Sequence, residues 1–306
     1  MLSAIVAVTL LVPDVEAAAR AYQAALAYQP VAHGQLAAGQ AVLWGAGRLA
    51  GREYVVLQPQ SGEPVYLRFV ATAAPANPAL KTLGWNATEI LVEDPLLLEP
   101  KLDGSPFRVI GPSAPLEINP AVIAMQALGP AGELLYFTRM PAGKSRFGLG
   151  SATTFVDRVF IVVLGVHDIR RTLDYYGDTF GLPVTEPAPS RVEVLADAWG
   201  LPRTQPFLLG IARLPERFLI EVDEYPPAAA AKAVADGELP AGMAMVSFTV
   251  PSLEPYLSLL ESPPLALDGV PYHGRRAGVM RGPSGEHIEL VEASEATPAP
   301  ASGDRQ

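Results

Sequence analysis

The chain of 306 residues has no cysteine and only four histidines. Without cysteine, disulfide bonds, thiolate metal sites and cysteine nucleophiles are excluded. Positive charge is also scarce, because 22 Lys and Arg stand against 32 Asp and Glu and give a net charge of -10. This charge would repel a nucleic acid or an anionic membrane on average. The sequence therefore predicts no nucleic-acid partner and no membrane partner, and the cytoplasm is the expected compartment.

Long apolar runs are missing as well, since no run reaches the roughly 18 residues that a membrane-spanning helix requires. The apolar N-terminal segment 1–12 lacks the basic residues that begin a signal peptide and leads directly to Asp14 and a helical pattern. We therefore predict that it is a buried first strand. The apolar share of 49% is enough for two hydrophobic cores, which predicts two domains in a chain of this length.

Two segments about 154 positions apart share a strand, a Val-x-Asp sequence, a helical pattern and a late tyrosine. They run from Val12 to Tyr22 and from Val166 to Tyr176. Weaker copies begin at 87–94 and 245–252, and each start precedes three further strand-like stretches. The sequence predicts an α+β fold of four βαβββ units in two modules. The modules cover 1–140 and 155–292, with a linker at 141–154 and a disordered tail at 293–306.

Two motifs in the second module carry a family resemblance. The segment VHDIRRTLDYYGDTFGL at 166–182 resembles the first-helix signature of the vicinal oxygen chelate superfamily, which includes glyoxalases, bleomycin-resistance proteins and extradiol dioxygenases. The segment GPSGEHIELVE at 282–292 is similar to the ending of the same family's last strand. The resemblance implies curved mixed sheets, each built from two units and closed around a ligand cavity. Over 1–140 it rests on the repeat offset and on GELLY at 132–136.

The resemblance also implies where a metal would bind, because metal-dependent members take two ligands from first strands and two from last strands. The last-strand positions match Glu221 and Glu289. The first-strand positions match Met245 and Ile161, or Arg158 if three residues are inserted. None of these three is a strong ligand for a divalent ion. The corresponding positions of the first module, which offer no metal site, are Ala7, Arg68, Ala87 and Tyr136.

Glu221 and Glu289 are the predicted catalytic pair, because two inward carboxylates could hold a metal, share a proton or act as a general base. The alternative is that they form ion pairs with Arg158 or Arg281. His287 lies on the strand face of Glu289 by the period of two and is a candidate third metal ligand, with solvent exposure as the alternative. The predicted cofactor is one divalent metal ion or none.

The predicted substrate-binding residues are Arg158 and Met245 together with a loop at the expected mouth of the cavity. This loop contributes His273, Arg275 and Arg276, and its two guanidinium groups suit a carboxylate or a phosphate. An exposed hairpin with solvated charges is the alternative interpretation.

Three functions remain open from the sequence. The first is an enzyme of the lyase or isomerase type that acts on a small organic molecule with Glu221 and Glu289. The second is a metal-free protein that binds or sequesters such a molecule. Ring cleavage by a dioxygenase is the least supported variant of the first function, because that chemistry normally uses two histidines and a carboxylate. The third is a structural module whose cavity is filled by side chains. A monomer and a homodimer are both compatible with the sequence.

Overall fold

The computed structural model describes residues 1–117, 119–141, 143, 147–215 and 217–293. The predicted tail falls outside these described residues from 294 onwards. Unit 1 contains β1 (Ile5–Val12), α1 (Val15–Leu26), β2 (Gln29–Gln35), α2 (Ala38–Leu43), β3 (Glu53–Gln58) and β4 (Tyr66–Ala71). Unit 2 contains β5 (Gly84–Val92), α3 (Pro95–Leu102), β6 (Arg108–Leu116), β7 (Asn119–Leu128) and β8 (Leu134–Arg139). Unit 3 contains β9 (Val156–Val166), α4 (Ile169–Phe180), β10 (Ala188–Arg191), α5 (Glu193–Trp199), β11 (Pro206–Arg213) and β12 (Leu219–Glu224). Unit 4 contains β13 (Gly242–Val250), β14 (Leu265–Ala266), β15 (Arg276–Arg281) and β16 (His287–Glu292).

An aspartate begins the helix that follows the first strand in units 1, 2 and 3. The Asp14 carboxylate accepts from the Ala17 N–H at 2.8 Å, and the Asp168 carboxylate accepts from the Arg171 N–H at 2.9 Å. These bonds confirm the predicted helix caps, since each satisfies a backbone donor that the first helical turn leaves free. Unit 4 has only a 3-10 turn at Glu254–Tyr256 where a helix was expected. Four prolines at 251, 255, 263 and 264 remove backbone donors from this segment.

The sixteen strands of the described residues form two eight-stranded sheets. The first sheet has the order β14-β15-β16-β13-β1-β4-β3-β2, and the second has the order β10-β11-β12-β9-β5-β8-β7-β6. The predicted α+β fold with two curved mixed sheets is confirmed. The first sheet joins unit 1 to unit 4 through antiparallel β1 and β13, and the second joins unit 2 to unit 3 through antiparallel β5 and β9. Each sheet therefore takes one unit from either side of the predicted linker at 141–154.

One face of each sheet packs into a shared apolar core. This core includes Leu10 and Phe69 from the first sheet, Phe137 and Phe160 from the second, and Tyr22 from α1. Residues at alternate strand positions point to the opposite face, which we call the cavity face. Glu221 of β12 and Glu289 of β16 lie on the cavity faces, because the residues beside them, Ile220, Val222, Ile288 and Leu290, belong to the core. Among the described residues, no helix is long and apolar enough to cross a membrane.

Candidate functional site

The cavity face of the first sheet carries four polar side chains on neighbouring strands. Thr9 of β1 is in register with Arg68 of β4, and Ser247 of β13 is in register with Glu289 of β16. Side chains in register on adjacent strands point to the same face, so these four groups meet. The Arg68 Nη2 lies 3.1 Å from the Glu289 Oε2, and the two side chains are 2% and 0% exposed. The structure therefore places a fully buried ion pair at the centre of this face.

Every polar atom at the end of the Glu289 side chain has a donor. Oε1 accepts from the Trp44 Nε1 at 2.8 Å and from the Tyr272 OH at 2.7 Å, while Oε2 accepts from the Ser247 hydroxyl and from Arg68. The guanidinium of Arg68 also donates to the Thr9 Oγ1, from Nε at 3.1 Å and from Nη2 at 2.8 Å. Such a closed network is a stable arrangement for buried charges.

Aromatic rings complete the surroundings of the guanidinium. Its central carbon lies 4.5 Å from the centroid of the Trp44 ring and 5.5 Å from that of the Tyr272 ring. Burial acts to lower the pKa of Arg68, but Tyr272 and Glu289 outweigh burial and raise the pKa above its usual value. A charged guanidinium therefore lies against Glu289, one of the positions to which the sequence resemblance assigns a metal ligand. The residues of the first sheet do not fit a metal ion.

The second sheet repeats this arrangement with different residues. Glu89 of β5 is in register with Tyr136 of β8, and Val163 of β9 is in register with Glu221 of β12. The correspondence is supported by the pairing across the sheet centre, where Glu89 lies opposite Ile161 just as Thr9 lies opposite Met245 in the first sheet. The second sheet thus has Glu89, Tyr136, Val163 and Glu221 at the four positions.

Asp223 follows Glu221 by two positions and so points to the same face. We call Glu89, Glu221 and Asp223 the acidic cluster. Asp223 is 2% exposed and its Oδ1 has no hydrogen-bond partner, and the OH of Tyr225, which is 3% exposed, also has none. Glu89 accepts from the Thr138 hydroxyl at 2.5 Å. Within the described part of the chain, no carboxyl of the acidic cluster has a salt-bridge partner.

The acidic cluster is more open than the ion pair of the first sheet. Glu221 is partly exposed, and Glu89 and Tyr136 are each 7% exposed. By contrast, Thr9, Ser247 and Glu289 of the first sheet are each 0% exposed. A small ligand can therefore reach Glu221 more easily than Glu289.

Burial and mutual repulsion change the ionisation of the acidic cluster. Burial, followed by the charges of Asp223 and Glu89, raises the pKa of Glu221 well above its usual value. Burial, followed by the charge of Glu89, raises the pKa of Asp223 to about 7. Burial also raises the pKa of Glu89 to about 7, although the Thr138 hydrogen bond opposes it. Glu89 and Asp223 are consequently placed to accept or donate a proton near neutral pH.

The acidic cluster also departs from the family's four-ligand metal site. One of its four positions is the apolar Val163 and another is the phenol Tyr136. Across the described ranges, no three His, Asp or Glu side chains are grouped so that they could hold a metal ion. The donor set therefore does not fit that metal site.

The predicted catalytic pair is separated by the fold. Glu221 lies on β12 in the second sheet and Glu289 lies on β16 in the first. The expectation that they share one cavity is wrong, because unit 4 pairs with unit 1 and not with unit 3. The alternative partners are also not observed, since the guanidinium of Arg158 donates to the Leu149 carbonyl and that of Arg281 bonds to Glu261.

His287 lies on the strand of Glu289 but is buried. Its side chain is 1% exposed and neither ring nitrogen has a partner among the described residues. Burial, followed by the charges of Arg281 and Lys232, lowers its pKa to about 3. The alternative of a solvent-exposed His287 is therefore wrong. If His287 were a metal ligand, it would share its site with Glu289. That site already contains the positively charged Arg68.

The remaining predicted binding residues belong to the first sheet, apart from Arg158 on β9. Met245 is fully buried in an apolar cluster with Trp44. In the predicted loop, His273 is exposed, Arg275 donates to the Tyr272 carbonyl at 2.7 Å, and Arg276 bonds to Glu292 and Glu254. These contacts differ from both interpretations, because the Arg276 charge is paired with carboxylates and the Arg275 guanidinium donates to backbone carbonyls. The side chain of this loop that enters the cavity face is Tyr272.

The residue patterns missed Glu89, Thr9 and Tyr272. The sequence resemblance assigns the first-strand positions to Ala87 and Ala7, which lie two residues before Glu89 and Thr9. A shift of two positions keeps a residue on the same strand face, so the alternation of a strand does not detect it. Asp223 was detectable, because its spacing from Glu221 follows directly from this alternation.

Comparisons with known proteins agree with the fold. No protein-family model matches the sequence, and no curated protein matches it significantly. Glyoxalase I from Zea mays has a similar structure, with a TM-score of 0.61, 12% identity, and coverage of 94% of this chain and 92% of that chain. A candidate dioxygenase from Bacillus subtilis has a TM-score of 0.62 and 12% identity, over 95% of this chain and 85% of that chain. The chain therefore has the two-module fold of these two structures, which agrees with the fold that the sequence resemblance predicted.

Proposed function

We propose that this protein binds a small organic molecule on the cavity face of the second sheet, at the acidic cluster. The observation that supports the proposal is a group of three carboxyls without a cationic partner in the described structure, of which Glu221 is partly exposed. Burying carboxyl groups without compensation is unfavourable for folding. Perturbed groups of this kind are concentrated at functional sites.

The acidic cluster also has the chemistry that a lyase or an isomerase needs. Such reactions move a proton, and the most effective acid or base has a pKa near the working pH. Glu221 is the acid–base group in this proposal because a ligand can reach it, and Glu89 and Asp223 set its ionisation. Glu289 has no catalytic role here, since Arg68, Tyr272, Trp44 and Ser247 occupy its oxygens. No step of this chemistry passes through a metal ion.

A second candidate is a metal-free protein that binds or sequesters its ligand without converting it. The apolar Val163 at one of the four positions favours this alternative, because it leaves the cavity face without a complete set of reactive groups. A ring-cleavage dioxygenase receives no support from the acidic cluster. His287 lies in the other sheet, next to the ion pair.

A ligand screen on three proteins tests the proposal. A library of neutral, anionic and cationic small molecules would be screened by thermal shift on the wild type, on Glu221→Gln and on Glu224→Gln. Glu224 lies on the same strand but on the opposite face, which makes it a matched control. We expect ligands that stabilise the wild type and Glu224→Gln but not Glu221→Gln.

Conversion of a ligand distinguishes the two candidates. Each ligand would be incubated with the protein and followed by proton NMR. Conversion that requires Glu221 supports the enzyme, whereas binding without conversion supports the binding protein. The proposed site would be refuted if no compound of the library stabilised the wild type. It would also be refuted if the ligands stabilised Glu221→Gln as much as the wild type.

A further inference from the structure

The two sheets differ in one respect that bears on the ligand. Arg68 on β4 corresponds to Tyr136 on β8, and Glu221 on β12 corresponds to Glu289 on β16, with 68 positions between the members of each pair. The first sheet therefore contains both a carboxylate and a cation. The second sheet keeps the carboxylate but has a neutral phenol where the first sheet has a guanidinium.

The first sheet shows how this arrangement holds a planar cation. The guanidinium of Arg68 is bound by the carboxylate of Glu289 at 3.1 Å and by the hydroxyl of Thr9. Aromatic faces of Trp44 and Tyr272 lie 4.5 Å and 5.5 Å from its central carbon. Carboxylates and aromatic faces are the groups that bind organic cations in proteins.

The acidic cluster of the second sheet has three carboxyls where the first sheet has Glu289, and among the described residues none of the three has a cationic partner. Glu89 replaces Thr9, and Asp223 adds a third carboxyl whose Oδ1 is buried without a partner. The phenol of Tyr225 is likewise buried and unpartnered, and Tyr225 follows Asp223 by two positions, so both point to the same face. These unpartnered atoms are independent signs that a ligand completes the site.

A glycine makes room for one of the aromatic rings. A Cβ at Gly165 would lie 2.8 Å from the Cε2 of Tyr225, which is closer than atoms can approach without a shift. Gly165 is in register with Asp223, so the Tyr225 ring lies directly over the strand that neighbours this carboxyl. The ring and the carboxyl are therefore adjacent, like Trp44 and Glu289 in the first sheet.

Resting on the function proposed above, we propose that the ligand of the acidic cluster is an organic cation with a guanidinium or ammonium group. This cation would lie between the carboxyls and the phenol rings, in the place that Arg68 takes in the first sheet. An organic cation suits the site better than a metal ion, because no three acidic side chains of the described residues are grouped at metal-binding geometry. A guanidinium or ammonium group bonds at longer distances and to more widely spaced acceptors.

Probes that include a cation and a neutral molecule of the same shape test this inference. Isothermal titration calorimetry would compare benzylguanidinium, benzylammonium, the neutral isostere benzylurea, and manganese chloride. The proteins would be the wild type, Asp223→Asn and the control Glu224→Gln. We expect both organic cations to bind the wild type and the control, and to bind Asp223→Asn at least about tenfold more weakly, as for the loss of a charged hydrogen bond. Benzylurea should not bind.

The variant should remain folded, because Asp223→Asn removes a like charge from the cluster. Circular dichroism checks this, and Glu89→Gln replaces it if needed. Benzylurea that binds the wild type as tightly as benzylguanidinium, and binds Asp223→Asn more weakly, would overturn the cation inference but leave the proposed function intact. If manganese binds through Asp223 and the organic cations do not bind, the cation inference is overturned in favour of a metal ion. Absence of binding by the probes and by the whole library would overturn both proposals.

Discussion

Arg68 and Glu289 allow the sharpest test of how the first sheet is stabilised. Replacing Arg68 with Met removes the guanidinium but keeps an apolar side chain of similar length. The Glu289 carboxylate, which is 0% exposed, then loses its cation and keeps the neutral donors Trp44, Tyr272 and Ser247. Breaking a buried ion pair by removing one partner costs about 3–5 kcal/mol.

We expect a loss near the lower end of that range, about 3 kcal/mol, because neutral donors still compensate part of the remaining charge. A typical free energy of unfolding is about 5–15 kcal/mol, so this single change removes a large share of it. The double variant Arg68→Met/Glu289→Gln leaves no buried charge. It should therefore be more stable than Arg68→Met alone.

Urea unfolding followed by tryptophan fluorescence measures these differences, and Trp44 reports directly because its ring contacts the guanidinium. Arg170→Met is the matched control, since Arg170 and its partner Glu186 are 68% and 87% exposed and such pairs contribute little. Its unfolding midpoint should not move. The reasoning is refuted if Arg68→Met is as stable as the control, or if the double variant loses as much as both single changes together.

Three further predictions concern other parts of the chain. Tyr22→Phe removes the 2.7 Å hydrogen bond to the buried Glu133, and urea unfolding should show a loss of about 1–3 kcal/mol, which is refuted by unchanged stability. Burial raises the pKa of Glu133 to about 7, so the fold favours its protonated form. This contribution, about 3 kcal/mol, is present at low pH and is lost as the pH rises from about 4.5 to 7. The thermal midpoint should fall over that range, and it should fall less in Glu133→Gln. Finally, residues 1–140 alone should not form a folded monomer, because their units pair with units 3 and 4, whereas co-expression with 147–293 should restore a folded complex detectable by gel filtration. A folded monomer of 1–140 would contradict the observed pairing.

Local patterns in the sequence predicted the elements well. Asp14 and Asp168 begin their helices as expected, because a cap depends only on a few neighbouring backbone groups. The strand alternation correctly placed Asp223 with Glu221. The repeat offset also predicted the α+β architecture, since a duplicated unit reproduces its own strands.

Pairing between units could not be predicted in the same way. Joining β1 to β13 or β5 to β9 depends on contacts between residues far apart in the chain, and each unit offers the same kind of strand to any partner. The sequence therefore placed Glu221 and Glu289 in one cavity, although they lie in different sheets. Arg68 was recognised as one of the four positions of the first module, but its partner Glu289 belongs to the other half of the chain.

The pairing of units also explains how the chain accommodates two clusters with opposite effects on stability. The closed network of the first sheet stabilises it, and Arg68 and Glu289 are 221 positions apart. Units 2 and 3 lie between these residues, so the first sheet holds both ends of the segment that forms the second sheet. Fixing the ends of a segment reduces the conformational entropy it gains on unfolding. This restriction offsets part of the cost of burying the carboxyls of the acidic cluster without cationic partners, a cost that an isolated second sheet would bear in full.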